Sequence, residues 1–220
     1  MAILLIRHGE TEGNRTRVIQ RPDIPLSEQG LVQAGRLAER LRESPIDEIW
    51  SSPLARARMT ADALERETGV PVHVEADLQE RNLGDLRGTA YTDLDFDPFE
   101  VDYVPPAGES WGVFYERVDR IWQRVVHHWF DRYAERAPDR HLAVVSHGLF
   151  LRSLIERRLL STADREAWES QHGPFRLGNT ALTIVAPVAP TASRHPIELL
   201  GCTAHLDEDP LPDVGTLGAG

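Results

Sequence analysis

Two short apolar runs place the tightest constraint on this chain. Residues 3–6 (Ile-Leu-Leu-Ile) and 142–145 (Leu-Ala-Val-Val) are continuously apolar, and each leads into a His-Gly pair, Arg7-His8-Gly9 and Ser146-His147-Gly148. A run this short without polar alternation fits a strand covered on both faces, which is the setting of a parallel sheet with helices on each side. The intervening sequence agrees. Leu31, Ala34, Leu37, Ala38 and Leu41 recur at helical spacing behind a Ser27 N-cap. Strands are expected at 46–51, 70–74, 180–185 and 197–200. Helices are expected at 54–68 (stopped by Gly69 and Pro71), at 110–134 (closed by Pro138) and at 148–160. Alternation of this kind predicts an α/β fold, a single three-layer α/β/α sandwich with a mostly parallel sheet.

At 220 residues, with 41% apolar and 27% charged residues, the chain suits one folded domain. We expect that domain to span 1–206, with an acidic, lid-like insertion at about 89–109 and a loose Pro/Gly-rich tail at 207–220. The net charge of −11 disfavours nucleic-acid backbones and anionic membrane surfaces as partners. All 24 basic residues are arginine, which excludes Walker-lysine and Schiff-base chemistry. The one cysteine, Cys202, excludes an internal disulfide, a multi-cysteine zinc site and an iron–sulfur cluster. The apolar start is too short for a signal peptide and no run approaches about 18 residues, so a cytoplasmic location is expected. The oligomeric state is not legible, and a homodimer stays open.

In parallel sheets ligands gather at the carboxyl ends of strands. There this chain carries His8, His147 and, after the strand ending in Ser51-Ser52-Pro53, Arg56 and Arg58 at the head of a helix. Guanidinium groups offer bidentate donors to a phosphoryl group. Cationic neighbours depress an imidazole pKa and keep it nucleophilic. Two Arg and two His therefore suit metal-free phosphoryl transfer, which needs positioning and charge stabilisation above all.

Leu5-Ile6-Arg7-His8-Gly9-Glu10-Thr11 with Asn14 resembles the signature of the histidine phosphatase superfamily, the phosphoglycerate-mutase-like proteins. Further motifs follow in the family's order: Asp23-Ile24-Pro25-Leu26-Ser27-Glu28-Gln29-Gly30, the run SSPLARARMTA from Ser51, the loop from Glu80 to Gly88, Gly108-Glu109-Ser110, and Ser146-His147-Gly148. The resemblance covers roughly residues 3–206. It implies that His8 forms a phosphohistidine, that Arg7, Arg56 and His147 hold the phosphoryl oxygens, and that Asn14 supports them. It implies that Gln20 and Gly148 flank the phosphate and that Glu80 protonates the leaving alkoxide, with Asp85 as the alternative donor. No metal and no cofactor are implied. One departure is Gln20-Arg21 where members often carry Gln-Gly, so Arg21 either turns to solvent or offers a second anionic handle on the substrate.

Three functions fit: a phosphomonoester phosphatase acting on a small metabolite, a phosphoglycerate mutase, or an idle binding member. Every catalytic position is filled, which disfavours the third. The segment after Glu80 is short and acidic where mutases place cations, which disfavours the second. That segment has no basic residue between Arg87 and Arg117 but carries Asp93, Asp95, Asp97, Glu100 and Asp102. It reads as a solvated excursion or as a lid that rejects polyanions and offers Tyr91, Phe96, Phe99 and Tyr103 to the organic part of a substrate. Trp111 is a further ligand candidate. His127-His128 is a poor metal clamp because adjacent helical residues face apart.

Overall fold

The computed structural model describes residues 2–133, 140–172 and 175–207. Six strands, β1 (Ala2–Arg7), β2 (Ile46–Ser51), β3 (Val72–Val74), β4 (His141–Ser146), β5 (Leu182–Val185) and β6 (Ile197–Cys202), form one sheet in the order β3-β2-β4-β1-β5-β6. The pairings β3–β2, β2–β4 and β4–β1 are parallel, and β5 runs antiparallel to both β1 and β6.

Alternate residues of the central strands explain the unbroken apolar runs. Ile3 and Leu5 of β1 with Leu142 and Val144 of β4 pack against α4 (Trp111–Tyr133) and α5 (Gly148–Leu154). Leu4 and Ile6 with Ala143 and Val145 pack on the other face against α2 (Glu28–Arg40) and α3 (Ala55–Thr68). Residues 3–6 and 142–145 are thus covered by helices on both faces of the sheet, which is why these runs are apolar throughout. The three-layer α/β/α sandwich is the observed architecture.

The sequence reading missed two helices. α1 (Glu12–Thr16) is a five-residue turn with a capping box between Thr11 and Asn14. α6 (Thr162–His172) begins where Ser161 and Asp164 cap one another, Asp164 N–H to Ser161 Oγ at 3.0 Å and Ser161 N–H to Asp164 Oδ2 at 2.9 Å. That Ser-x-x-Asp spacing was a readable start signal. The helix expected over 148–160 changes into a π-helical segment at Ile155–Leu159, where Leu160 N–H reaches back to Ile155 O. Ala134 and Pro138, and all but the first residue of the expected tail, lie outside the described residues. No helix among the described residues is long and apolar enough to cross a membrane. Arg157 and Arg158 both pair with Asp119 at the surface.

Candidate active site

Sheet register brings the loaded strand ends together. Arg7 lies opposite Ser146, and Ser51 opposite Val145. Beyond the strands, His8 N–H donates to Ser146 O at 2.9 Å and Ser52 N–H to Val145 O at 3.0 Å. The His8 loop rests on the start of α2, where a Cβ on Gly9 would sit 2.6 Å from Gly30 O and one on Gly30 only 2.0 Å from Glu10 O. Only glycine permits that approach. Above these ends lies a cavity of about 220 Å³ walled by Arg7, His8, Asn14, Gln20, Arg56 and Glu80, with Gly148, Tyr91 and Phe99 at its sides.

His8 is 3% exposed, and its Nδ1 lies 2.6 Å from Gly9 O. A carbonyl can only accept, so Nδ1 carries the proton and Nε2 holds a bare lone pair. Burial, with the charges of Arg56 and Arg7, holds the imidazole well below its usual pKa. The ring is thereby neutral at pH 7, the form that can attack phosphorus.

Around it stand donors without protein partners. Arg7 gives Nη1 to Leu177 O at 2.6 Å, and Arg56 gives Nη1 to Arg21 O at 3.2 Å, yet Nε of each is buried and unpaired among the described residues. Burial lowers both guanidinium groups, Arg56 to about 10, and a guanidinium keeps its charge in proteins. His147 is fully buried, 5.1 Å from the His8 ring. Its Nε2 meets Ser52 Oγ at 2.7 Å, and its Nδ1 has no partner among the described residues. Ser52 Oγ also accepts from Leu54 N–H and can give its own proton to Nε2, the arrangement in which His147 presents Nδ1–H. Burial and the cations hold this ring below its usual pKa as well. Buried polar groups are nearly always satisfied, and three orphan donors of one polarity suit an anion with several oxygens.

Glu80 reaches the opposite side of the cavity. Its carboxylate accepts from Arg81 N–H (3.0 Å), Leu149 N–H and Phe150 N–H (both 2.9 Å). The last two are open N–H groups in the first turn of α5. Burial raises the Glu80 pKa, opposed by those bonds and by Arg56 and Arg7. Sequence reasoning missed the residue that places it. Arg117 of α4 donates to Asp77 O and Gln79 O (both 2.8 Å) and pairs with Glu109 at 2.5 Å, fixing the backbone that enters Glu80. Also missed were Ser52 and Asn179; Asn179 Nδ2 lies 3.3 Å from both His8 O and Asn14 Oδ1. The serine was visible at the strand end, and Gly178-Asn179 as a turn signal.

Gln20 is on the cavity wall, and its Oε1 accepts from Thr11 Oγ. Arg21 is exposed and packs its guanidinium over Gly88, 3.2 Å from where a Cβ would stand. Asp85 is exposed and does not line the cavity. The acidic excursion supplies Tyr91 and Phe99 to the walls, while Phe96 and Tyr103 pair with each other at 4.9 Å and Asp93, Asp95 and Asp97 are exposed. Arg81 is 3% exposed and pins the excursion through Pro98 O, Tyr103 O and Glu109 O. His127 and His128 part as expected, His128 to Glu48 and His127 to Gln123 O. No cluster of metal-ligating side chains occurs among the described residues.

Comparison with known proteins agrees with this geometry. Residues 3–189 match the histidine phosphatase superfamily (branch 1). The chain is 35% identical to phosphoglycerate mutase-like protein 4 of Arabidopsis thaliana, over 70% of each chain. It is 33% identical to the adenosylcobalamin/alpha-ribazole phosphatase of Salmonella typhimurium, over 76% of this chain and 84% of that one. Among solved structures, a mycobacterial glucosyl-3-phosphoglycerate phosphatase in complex with VO3 superposes with a TM-score of 0.75 at 28% identity, covering 91% of this chain and 98% of that one. With His8, Arg7, Arg56 and Glu80 lining one cavity and His147 buried 5.1 Å from the His8 ring, the chain belongs to branch 1 of the histidine phosphatase superfamily.

Proposed function

We propose that the protein is a phosphomonoester phosphatase working through a phosphohistidine, without a metal and in the cytoplasm. The observation that carries this reading is the bare Nε2 of His8 facing the same small cavity as Glu80, with Arg7 and Arg56 between them. In the first step Nε2 attacks phosphorus, the ester P–O bond breaks, and the Glu80 proton passes to the departing oxygen. Arg7, Arg56 and His147 stabilise charge on the phosphoryl oxygens. In the second step the Glu80 carboxylate takes a proton from water as its oxygen attacks phosphorus. The N–P bond breaks, and His8 returns to its neutral form with inorganic phosphate released.

Arg7 and Arg56 supply the cationic charge that a divalent ion supplies in metallophosphatases. Turnover in excess chelator and inhibition by vanadate are therefore expected. The test is phosphate release from a panel of monoesters, with acid-labile, alkali-stable label trapped on His8 and lost in His8→Ala. Interconversion of phosphoglycerates without net phosphate release would overturn the reading in favour of a mutase. Full activity in His8→Ala would overturn the mechanism.

A further inference from the structure

A chain of directed hydrogen bonds runs from α2 to the backbone of His8, and it passes through a histidine that does not line the phosphate cavity. His205 sits in a 3₁₀ turn, Ala204–Leu206, which α2 holds through Arg36 Nη1 to Leu206 O at 3.0 Å. The residue is 4% exposed, and burial with Arg40 and Arg36 lowers its pKa to about 4, so the ring is neutral at pH 7. Its Nδ1 lies 3.3 Å from Arg40 Nη1, which also reaches Cys202 Sγ at 3.3 Å. A guanidinium only donates, so Nδ1 accepts and Nε2 carries the proton. Nε2 lies 2.8 Å from Thr180 Oγ1, and Thr180 Oγ1 lies 2.7 Å from Asn179 O. That carbonyl can only accept, so the Thr180 hydroxyl gives its proton there and receives the His205 N–H. Both ends of the chain demand the same direction.

The chain ends on the site. Asn179 Nδ2 is 3.3 Å from both His8 O and Asn14 Oδ1, and Thr180 N–H donates to His8 O, also at 3.3 Å. His8 N–H is tied to Ser146 O, so both backbone polar groups of His8 are held. Asn14 Oδ1 also accepts from Thr11 N–H at 3.2 Å, which leaves the Asn14 NH2 as the group it can give to a phosphoryl oxygen. Thr180 is fully buried and holds a left-handed φ of 53°, which a β-branched residue rarely adopts. A conformation of that kind persists only where the surrounding bonds over-determine it.

We infer that His205 is a positioning residue: through Thr180 and Asn179 it fixes the His8 backbone, and with it the ring, and the Asn14 amide for attack on phosphorus. The inference rests on His8 being the nucleophile of the phosphatase reading. It extends that reading to a residue outside the cavity wall, at the far end of the hydrogen-bond chain.

The test compares His205→Leu, which fills the space without a donor, with His205→Gln, whose amide can still donate to Thr180 Oγ1. In the leucine variant kcat/KM for p-nitrophenyl phosphate should fall about tenfold, the scale of one lost hydrogen bond, and in the glutamine variant it should return to within about twofold of the wild type. Asn179→Ala should lower it too. The double variant His205→Leu/Asn179→Ala should lose less than the product of the two single losses, because both act through one chain. The resonance of the His8 Nδ1 proton, which is bonded to Gly9 O, should shift in His205→Leu and stay in place in His205→Gln. If His205→Leu does not fold, Thr180→Val against Thr180→Ser repeats the comparison, since serine keeps the hydroxyl. Equal losses in the paired variants, losses that multiply in the double variant, or an unmoved His8 resonance would overturn the inference and leave the phosphatase reading standing. If the wild type hydrolyses no ester, the phosphatase reading fails, and the His8 resonance alone decides the positioning role.

Discussion

Replacing Glu80 by glutamine separates proton donation from binding. Glu80 Oε1 accepts two backbone N–H groups, from Arg81 and Phe150, and Oε2 accepts one, from Leu149. The glutamine amide oxygen can keep the first two, while its NH2 then faces Leu149 N–H, so the variant loses its acidic proton and one hydrogen bond and sets two donors against each other. Burial already raises the Glu80 pKa. A bound phosphate, a like charge in the same cavity, raises it further, while Arg56, Arg7 and the backbone N–H groups oppose the rise. Donation requires the carboxyl to carry its proton in the complex. An alkoxide leaves poorly without that proton and a nitrophenolate leaves well. Glu80→Gln should therefore lower kcat on alkyl phosphates by about 10²–10⁴-fold and on p-nitrophenyl phosphate by about tenfold or less. Steady-state phosphate release from both substrates, plotted against leaving-group pKa, should be nearly flat for the wild type and steep for the variant. Equal losses on both would refute general-acid catalysis by Glu80 and leave it a binding role.

Ser52→Ala removes the hydroxyl that meets His147 Nε2; a loss of roughly 1–3 kcal/mol carried into the transition state lowers kcat about five- to 160-fold, and an unchanged kcat would show that the His147 tautomer is set elsewhere. Arg117→Lys cannot span Asp77 O, Gln79 O and Glu109 together, so the alkyl-to-aryl rate ratio should fall, a change that a purely structural loss would not produce. Stability should drop on acidification, as follows from the buried histidines. His8, His147 and His205 have pKa values below 6.5, His205 at about 4 through burial, Arg40 and Arg36. The unfolded chain takes up protons first as pH falls, so stability present above about pH 6.5 is lost between there and 4. At about 1.4 kcal/mol per pH unit His205 alone accounts for about 3 kcal/mol. Urea melts at pH 7, 5.5 and 4.5 should show this loss, and His205→Gln should lessen it.

Much of this protein is legible in its sequence because the signals are local. Residues 3–6 and 142–145 read as doubly covered strands because helices pack on both faces, and Ser27 reads as a cap because it is one, accepting Gly30 N–H at 3.0 Å. The arginine and histidine types at strand ends suited phosphoryl transfer, and the motifs shared with the family narrowed the reading to it. What sequence could not order was distance. Strand register alone sets Arg7 beside Ser146 and lets His8 and His147 approach to 5.1 Å across 139 positions of chain. Tertiary packing also decided which groups face inward: Phe99 and Trp111 line cavities while Phe96 turns to Tyr103, and Arg21 lies over Gly88. The tautomer of His8 and the depressed pKa of both site histidines belong to the same level. A residue's type carries its chemistry, but its proton affinity depends on burial and on neighbours distant in sequence, and only the folded chain supplies both.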